Sequence, residues 1–170
     1  MNRIFKLQQH IDILLSAIED MEERCCAYTH LSGASLSCAM IASKRNLDIE
    51  LATIAGLFHD IYEYVFYDRL KPLEHRPDHG IRNSDFAREI LIQLDITTQS
   101  EINIICNAIK NHGYKDMVHT PFDEAVKDGD VFSKQISNIN IPIHPVHKKR
   151  FFSLVNEFGL NWHSNIDVWA

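Results

Sequence analysis

The segment from Leu51 to Phe58 contains no charged side chain and runs directly into the dipeptide His59-Asp60. Its apolar residues recur at helical spacing, and Asp48 is well placed to cap the start of the helix. A helix that is apolar on every side belongs in the middle of a helical bundle. The chain therefore has to place a histidine and a carboxylate at the end of its most buried segment, and that carboxylate needs compensation.

Helical periodicity recurs along most of the chain, and turn-forming residues are scarce. Six glycines and five prolines leave too few breaks for a β-sandwich or barrel, which needs a turn signal every ~8–12 residues. Apolar stripes predict helices over 3–20, around 30–41, over 86–94, over 98–112, from Thr120 onward and around 147–158. The segment 62–78 is expected to be an irregular loop or a short helix. We expect an all-α bundle of six to seven helices, forming a single domain over 1–170.

The charge and hydropathy of the chain exclude several classes of function. The formal net charge is −6, and the densest basic run, Lys148-Lys149-Arg150, is short and is expected to be the solvated start of a helix. Because nucleic-acid binding requires a basic stripe, we expect no such partner. No stretch approaches the ~18 apolar residues of a membrane helix, and the N-terminal residues lack the apolar core of a signal peptide. We therefore expect a cytoplasmic protein without membrane contact.

Ten histidines are an unusual number for a chain of 170 residues. Three of them, His30, His59 and His112, lie in register with buried helical faces. A single histidine on such a face is usually a core residue with a satisfied hydrogen bond. Several beside Asp60 suit a divalent metal, whose charge compensates the buried carboxylate. Imidazole and carboxylate ligands without a thiolate favour Mn, Fe, Ni, Co or Zn.

These residues resemble the pattern of the HD-domain metal-dependent phosphohydrolases. In that family a histidine is followed by an adjacent His-Asp pair and then by a distant aspartate. The matching parts are His30, the segment Ala55-Gly56-Leu57-Phe58-His59-Asp60-Ile61 and the segment Val126-Lys127-Asp128-Gly129-Asp130-Val131. The resemblance covers roughly residues 26–137 and leaves 138–170 as a C-terminal loop and helix. It implies that His30, His59, Asp60 and Asp130 bind the metal.

Two further histidines match positions that the family uses beside the metal. His79 precedes a predicted helix, and His112 ends another. In relatives with two metals these positions bind the second ion, and the aspartate of the pair bridges both ions. In relatives with one metal they bind or protonate the substrate phosphate. The resemblance therefore implies catalytic roles for Asp60, His79 and His112, with one or two ions.

Periodicity alone leaves the last metal ligand ambiguous. Asp128 and Asp130 lie at equal angles on either side of an apolar stripe centred near Gly129. The resemblance selects Asp130, because the family pattern ends in an aspartate two residues after another acid. Asp128 is then expected to support the site from behind the ligands or to face solvent.

Several residues depart from the family pattern. The segment Ile61-Tyr62-Glu63-Tyr64 replaces the frequent Ile-Gly-Lys, and Gly113 stands where many two-metal relatives have a second histidine. Asn83 occupies a position where a small residue is common. Glu63 lies where the alarmone hydrolases of the family keep an acid that positions water, although a solvated surface charge is the alternative.

Lys115 and Lys134 are candidate substrate-binding residues. Each lies a few positions from an expected ligand and can contact a phosphate group, although a solvated lysine is the alternative. Six histidines fit no part of the pattern and are expected to be surface or structural residues: His10, His75, His119, His144, His147 and His163.

Together, the resemblance and the residues predict an enzyme that hydrolyses a phosphate ester of a nucleotide or another small phosphorylated metabolite. A metal-activated water is expected to attack the phosphorus. Two alternatives stay open: a di-iron oxygenase of the same superfamily, and a non-catalytic module that binds a nucleotide and signals through protein contacts. The sequence is compatible with a homo-oligomer. It does not define the substrate.

Overall fold

The computed structural model describes residues 2–66, 78–137 and 142–162. His75, His163 and most of the expected loop over 62–78 lie outside these described residues. Within the described ranges the chain forms eight helices and no strand: α1 (Arg3–Ser16), α2 (Met21–Lys44), α3 (Ile49–Phe58), α4 (Ile61–Val65), α5 (His79–Leu94), α6 (Gln99–Asn111), α7 (Pro121–Ser137) and α8 (Pro145–Glu157). The all-α prediction is confirmed. None of these helices combines the length and apolarity needed to span a membrane.

Seven of the described helices match the predicted stripes. The segment 62–78 was expected to be an irregular loop or a short helix, and its first residues belong to the short helix α4. α1 ends at Ser16 rather than near position 20, because the side chain of Asp20 caps α2 by accepting a hydrogen bond from the N–H of Glu23. α5 begins at His79, earlier than the apolar stripe that predicted it. This earlier start places His79 in the first turn of α5.

α3 lies at the centre of the bundle, as its uncharged sequence requires. Every residue from Leu51 to Phe58 except Thr53 is buried, and α1, α2, α6 and α7 pack around the helix. Asp48 caps it, because its side chain accepts the N–H of Leu51 at 2.9 Å. Burying a large aliphatic or aromatic side chain contributes about 1.5–3 kcal/mol, so the position of α3 is strongly held.

α2 packs against both α3 and α7 at points where a neighbouring helix carries glycine. A methyl group at Gly56 would lie 2.6 Å from the Cα of Ser35, and one at Gly129 would lie 2.9 Å from the backbone nitrogen of Cys38. Such distances are too short for a real side chain, so only glycine permits these contacts. The close packing brings α2, the end of α3 and α7 together at one place.

α8 extends the bundle by packing against α7. The two helices share a second cluster of buried apolar residues, which includes Phe132 from α7 and Phe151 and Leu154 from α8. The rings of Phe132 and Phe151 are stacked, with centroids 6.1 Å apart. This apolar contact holds one face of α8 against the helix that carries Asp130.

Ion pairs fix α8 at two points. In the middle of the helix, Arg150 contacts Glu124 at 2.8 Å and Asp128 at 2.9 Å, both on α7. At its end, Glu157 contacts Arg45, the residue that follows α2, at 2.7 Å. The expectation of a solvated basic run is therefore wrong for Arg150, whose side chain is only 14% exposed.

Candidate metal centre

Four side chains from three separate parts of the chain converge beside the end of α3. His30 comes from α2, His59 and Asp60 follow α3, and Asp130 comes from α7. One ligand atom from each residue lies within 4.8 Å of the others. Nε2 of His30 is 2.9 Å from Nε2 of His59 and 3.2 Å from Oδ2 of Asp60. Nε2 of His59 is 3.3 Å from Oδ1 of Asp130.

A second group of possible ligands shares Asp60 with the first. It consists of Asp60, His79 at the start of α5 and His112 directly after α6. Nε2 of His112 lies 3.2 Å from Oδ1 of Asp60 and 3.2 Å from Nε2 of His79. The two oxygens of Asp60 therefore face different histidines. We call the six residues of both groups the histidine–aspartate cluster: His30, His59, Asp60, His79, His112 and Asp130.

Backbone carbonyls orient two of the imidazole rings. Nδ1 of His59 donates to the carbonyl of Gly56 at 2.8 Å, and Nδ1 of His112 donates to the carbonyl of Ile109 at 2.6 Å. Because a carbonyl can only accept, Nδ1 carries a proton in both rings, and Nε2 is the nitrogen that faces the cluster. Histidines that bind metals are commonly held in this way.

The cluster buries charges that compensate one another only in part. His59, His112 and Asp130 are each 1% exposed. Burial lowers the pKa of His112 to about 4. At His59 burial acts in the same direction, but the carboxylates of Asp60 and Asp130 outweigh it and raise the pKa to about 9. Despite burial, the nearby histidines and lysines hold the pKa of both carboxyls well below its usual value, so both stay ionised.

Two buried carboxylate oxygens show that the cluster fits a cation. Oδ1 of Asp60 and Oδ1 of Asp130 accept no hydrogen bond of good geometry, although Nζ of Lys134 pairs with the oxygen of Asp130 at 2.9 Å. A buried acceptor without a hydrogen bond is costly. Each oxygen lies near an imidazole Nε2, at 3.2 Å from His112 and 3.3 Å from His59 respectively. A divalent ion satisfies the oxygens and the nitrogen lone pairs together. The nitrogen and oxygen donors suit a transition metal.

The structure separates Asp130 from Asp128. Asp130 belongs to the cluster, whereas Asp128 pairs with Arg45 at 2.8 Å and with Arg150 at 2.9 Å. Asp128 is 7% exposed, so it does not face solvent. Its two arginine partners join α7 to the end of α2 and to α8. Asp128 is therefore engaged away from the cluster, and Asp130 is the one of the two aspartates that faces the histidines.

Comparison with known proteins identifies the family. A family model described as the HD domain matches residues 27–135, close to the range that the resemblance predicted. This chain belongs to the HD domain family. The crystal structure of a predicted HD superfamily hydrolase from an uncultured Thermotogales bacterium is 20% identical to it, with a TM-score of 0.60, and the match covers 90% of this chain and 88% of that one. This likeness supports the fold. No curated protein matches the chain.

Two lysines of the HD domain contact Asp130 in different ways. Lys115 is 8% exposed, and its Nζ donates to Oδ2 of Asp130 at 2.6 Å and to the carbonyl of Lys127 at 3.3 Å. Nζ of Lys134 lies 2.9 Å from Oδ1 of Asp130, but its side chain is 45% exposed. Lys115 therefore orients the carboxylate from within the protein, whereas Lys134 also reaches solvent. The substrate role of both lysines stays a prediction, and the geometry suits Lys134 better.

A cavity of about 310 Å³ opens onto the histidine–aspartate cluster of the HD domain. Both lysines line it, together with Glu63, Tyr64 and His147. Arg82 donates a hydrogen bond to Glu63 at 3.2 Å. His147, which was expected to be a surface or structural residue, is half-buried and lies on the cavity wall. No motif marks this histidine, because α8 alone brings it to the cavity. Burial and the charge of Lys115 lower its pKa to about 4.

Two departures from the HD pattern have structural explanations. Asn83 is fully buried, and its side chain accepts the N–H of Tyr62 at 2.8 Å and donates to the carbonyl of His79 at 2.9 Å. It thereby ties the chain after Asp60 to the start of α5. A methyl group at Gly113 would lie 2.7 Å from Cε1 of His79, so this glycine leaves room for the ring.

Proposed function

We propose that this HD domain is a metal-dependent phosphohydrolase that cleaves a phosphate ester of a small metabolite, such as a nucleotide. The observation that carries the proposal is the position of Asp60. Its two oxygens face two groups of possible ligands, and its side chain lines the cavity. A shared carboxylate beside a cavity of substrate size supports hydrolysis assisted by two metal ions.

Each residue of the cluster has a specific part in this proposal. His30, His59, Asp60 and Asp130 would hold one ion, and Asp60, His79 and His112 would hold the other. Such an ion, when bound, lowers the pKa of a coordinated water and polarises a phosphoryl oxygen. Asp60, as an acceptor on the cavity wall, would orient the attacking water.

His112 favours the version with two ions. Its Nδ1 proton is committed to the carbonyl of Ile109, and its pKa is lowered to about 4 by burial. Near neutral pH its Nε2 therefore carries no proton to give to a leaving group. This state suits a metal ligand better than a general acid.

The lining of the cavity supports an anionic substrate. Lys115 and Lys134 line it as cations, beside the carboxylates of Asp60 and Asp130, whose charge bound metal ions would offset. The complete cluster also favours an enzyme over a non-catalytic module, which has no need to keep metal ligands.

Metal analysis combined with phosphatase assays tests the proposal. We expect the purified protein to contain one or two ions of Mn, Fe, Ni, Co or Zn and to hydrolyse nitrophenyl phosphate and nucleoside monophosphates. Asp60→Asn should lose metal and activity, whereas Asp85→Asn, at an exposed position on α5, should change neither. Full metal content and activity in Asp60→Asn would refute the proposal. Bound iron with oxygen consumption and no phosphatase activity would favour the oxygenase.

Substitution of His112 distinguishes one ion from two. His112→Ala should lower the metal content by about one ion per chain if both groups of ligands are used, because His112 belongs only to the second group. An unchanged metal content with reduced activity would instead indicate one ion and a role for His112 at the substrate.

A further inference from the structure

His147 reaches the cavity from outside the part of the chain that defines the family. The HD match ends at residue 135, whereas α8 begins at Pro145. We propose that His147 is a substrate-positioning residue, which together with Lys134 binds the phosphoryl oxygens of the substrate. This inference rests on the proposed phosphohydrolase function and adds to it a specificity element that the HD pattern does not contain.

The contacts of α8 fix the place of His147 relative to the cluster. His147 and Arg150 are three positions apart on α8 and therefore project from the same side of the helix. Arg150 donates through Nε to the carbonyl of Lys115 at 2.7 Å and through Nη1 to Asp128 at 2.9 Å. Nζ of Lys115 in turn lies 2.6 Å from Asp130. A short series of contacts thus joins α8 to a proposed metal ligand.

The polar groups around His147 suit an oxyanion. The ammonium of Lys115 is held by Asp130 and the carbonyl of Lys127, whereas Lys134 is half exposed beside the cavity. No hydrogen bond among the described residues involves the ring of His147, so its ring nitrogens can serve a ligand. An imidazole N–H and an ammonium that line the same cavity as the cluster match the several oxygens of a phosphoryl group.

His144 provides a useful contrast on the same helix. Its side chain accepts the N–H of Val146 at 3.3 Å and so caps α8, whereas the ring of His147 has no such capping role. Removing the ring of His147 should therefore leave the start of α8 intact. This separation makes a test of substrate binding possible without a change in the fold.

Binding of inorganic phosphate to the Mn²⁺-loaded protein, measured by calorimetry, tests the inference. His147→Ala should weaken binding about tenfold, because it removes a hydrogen bond to a charged ligand. His147→Gln keeps an N–H donor and should restore most of the affinity. Lys149→Gln, at an exposed position on the same helix, should bind like the unsubstituted protein. Metal content and thermal unfolding should be the same in all variants.

Three results with the variants would overturn the inference. These are unchanged phosphate affinity in His147→Ala, equal weakening in Lys149→Gln, and loss of bound Mn²⁺ in His147→Ala with no rescue by His147→Gln. Failure of the unsubstituted protein to bind phosphate would overturn it as well. Because the measurement needs no turnover, a protein that binds phosphate through His147 but cleaves no ester would refute the hydrolase proposal alone.

Discussion

Replacing Lys115 by methionine should destabilise the metal-free protein more than the metal-loaded protein. The side chain of Lys115 is 6% exposed and lies 2.6 Å from Asp130, whose side chain is 2% exposed. Methionine fills similar space without a charge, so the buried carboxylate loses its closest cation. Removing one partner of a buried ion pair costs about 3–5 kcal/mol. Because Lys134 remains 2.9 Å from Asp130, we expect the lower value, about 3 kcal/mol.

The metal is expected to offset this loss. Asp130 is one of the proposed ligands, and a divalent ion beside it would supply the charge that the Lys115→Met variant lacks. Mn²⁺ should therefore bind the variant about tenfold more tightly than the unsubstituted protein, or more tightly still, although the metal-free variant is less stable. The loss of unfolding free energy in Mn²⁺ should be about half of that in EDTA or less.

Urea unfolding followed by circular dichroism measures both values. With a slope of about 2 kcal/mol per molar urea, a loss of about 3 kcal/mol lowers the midpoint in EDTA by about 1.5 M. Lys149→Met, at an exposed position, is the matched control and should shift the midpoint by less than about 0.25 M. Equal losses in EDTA and Mn²⁺ would refute the idea that Lys115 and the metal compensate the same carboxylate.

Four further outcomes are expected. Asp130→Asn should lose bound metal, whereas Asp128→Asn should keep it. Asp128→Asn should lose about 2 kcal/mol of unfolding free energy, because it weakens the pairs with Arg45 and Arg150. Equal metal content in the two variants would contradict the assignment of Asp130 as the ligand. Gly113→Ala should displace the ring of His79 and weaken the binding of one ion in a metal titration, and unchanged binding would contradict this. Because the metal-free pKa of His59 is about 9, metal uptake at pH 7 should release about one proton, and the apparent affinity should rise about tenfold per pH unit up to about pH 9. In EDTA, the stability from the raised pKa of His59 should be complete below about pH 6.5 and lost as the pH rises through 9. An affinity that does not vary with pH would argue against a charged His59.

Local signals predict most of the helices. Each helix carries its own periodicity, and the cap of α3 lies where the sequence predicts it, at Asp48. The uncharged α3 is central because no other position could bury it on all sides. The family pattern identifies the residues of the cluster. Their approach to within a few ångströms of one another depends on how the helices pack.

Long-range contacts account for what the sequence could not show. Asp128 and Asp130 are equivalent by helical angle, and two arginines from distant parts of the chain distinguish them. The burial of Lys115 and the place of His147 likewise depend on how α8 packs against α7. Neither arrangement leaves a periodic pattern, because each involves one side chain at one helix contact.

His30 and Asp130 are a hundred positions apart in the sequence but lie on α2 and α7, which pack directly against each other. An ion held by both residues would act as a removable cross-link between the two ends of the HD segment. In the chain-entropy description of cross-links, closing a loop of about 100 residues is worth about 4.7 kcal/mol. The ion could be captured only after α2 and α7 have met. The rate of metal capture during refolding would therefore report when this long-range contact forms.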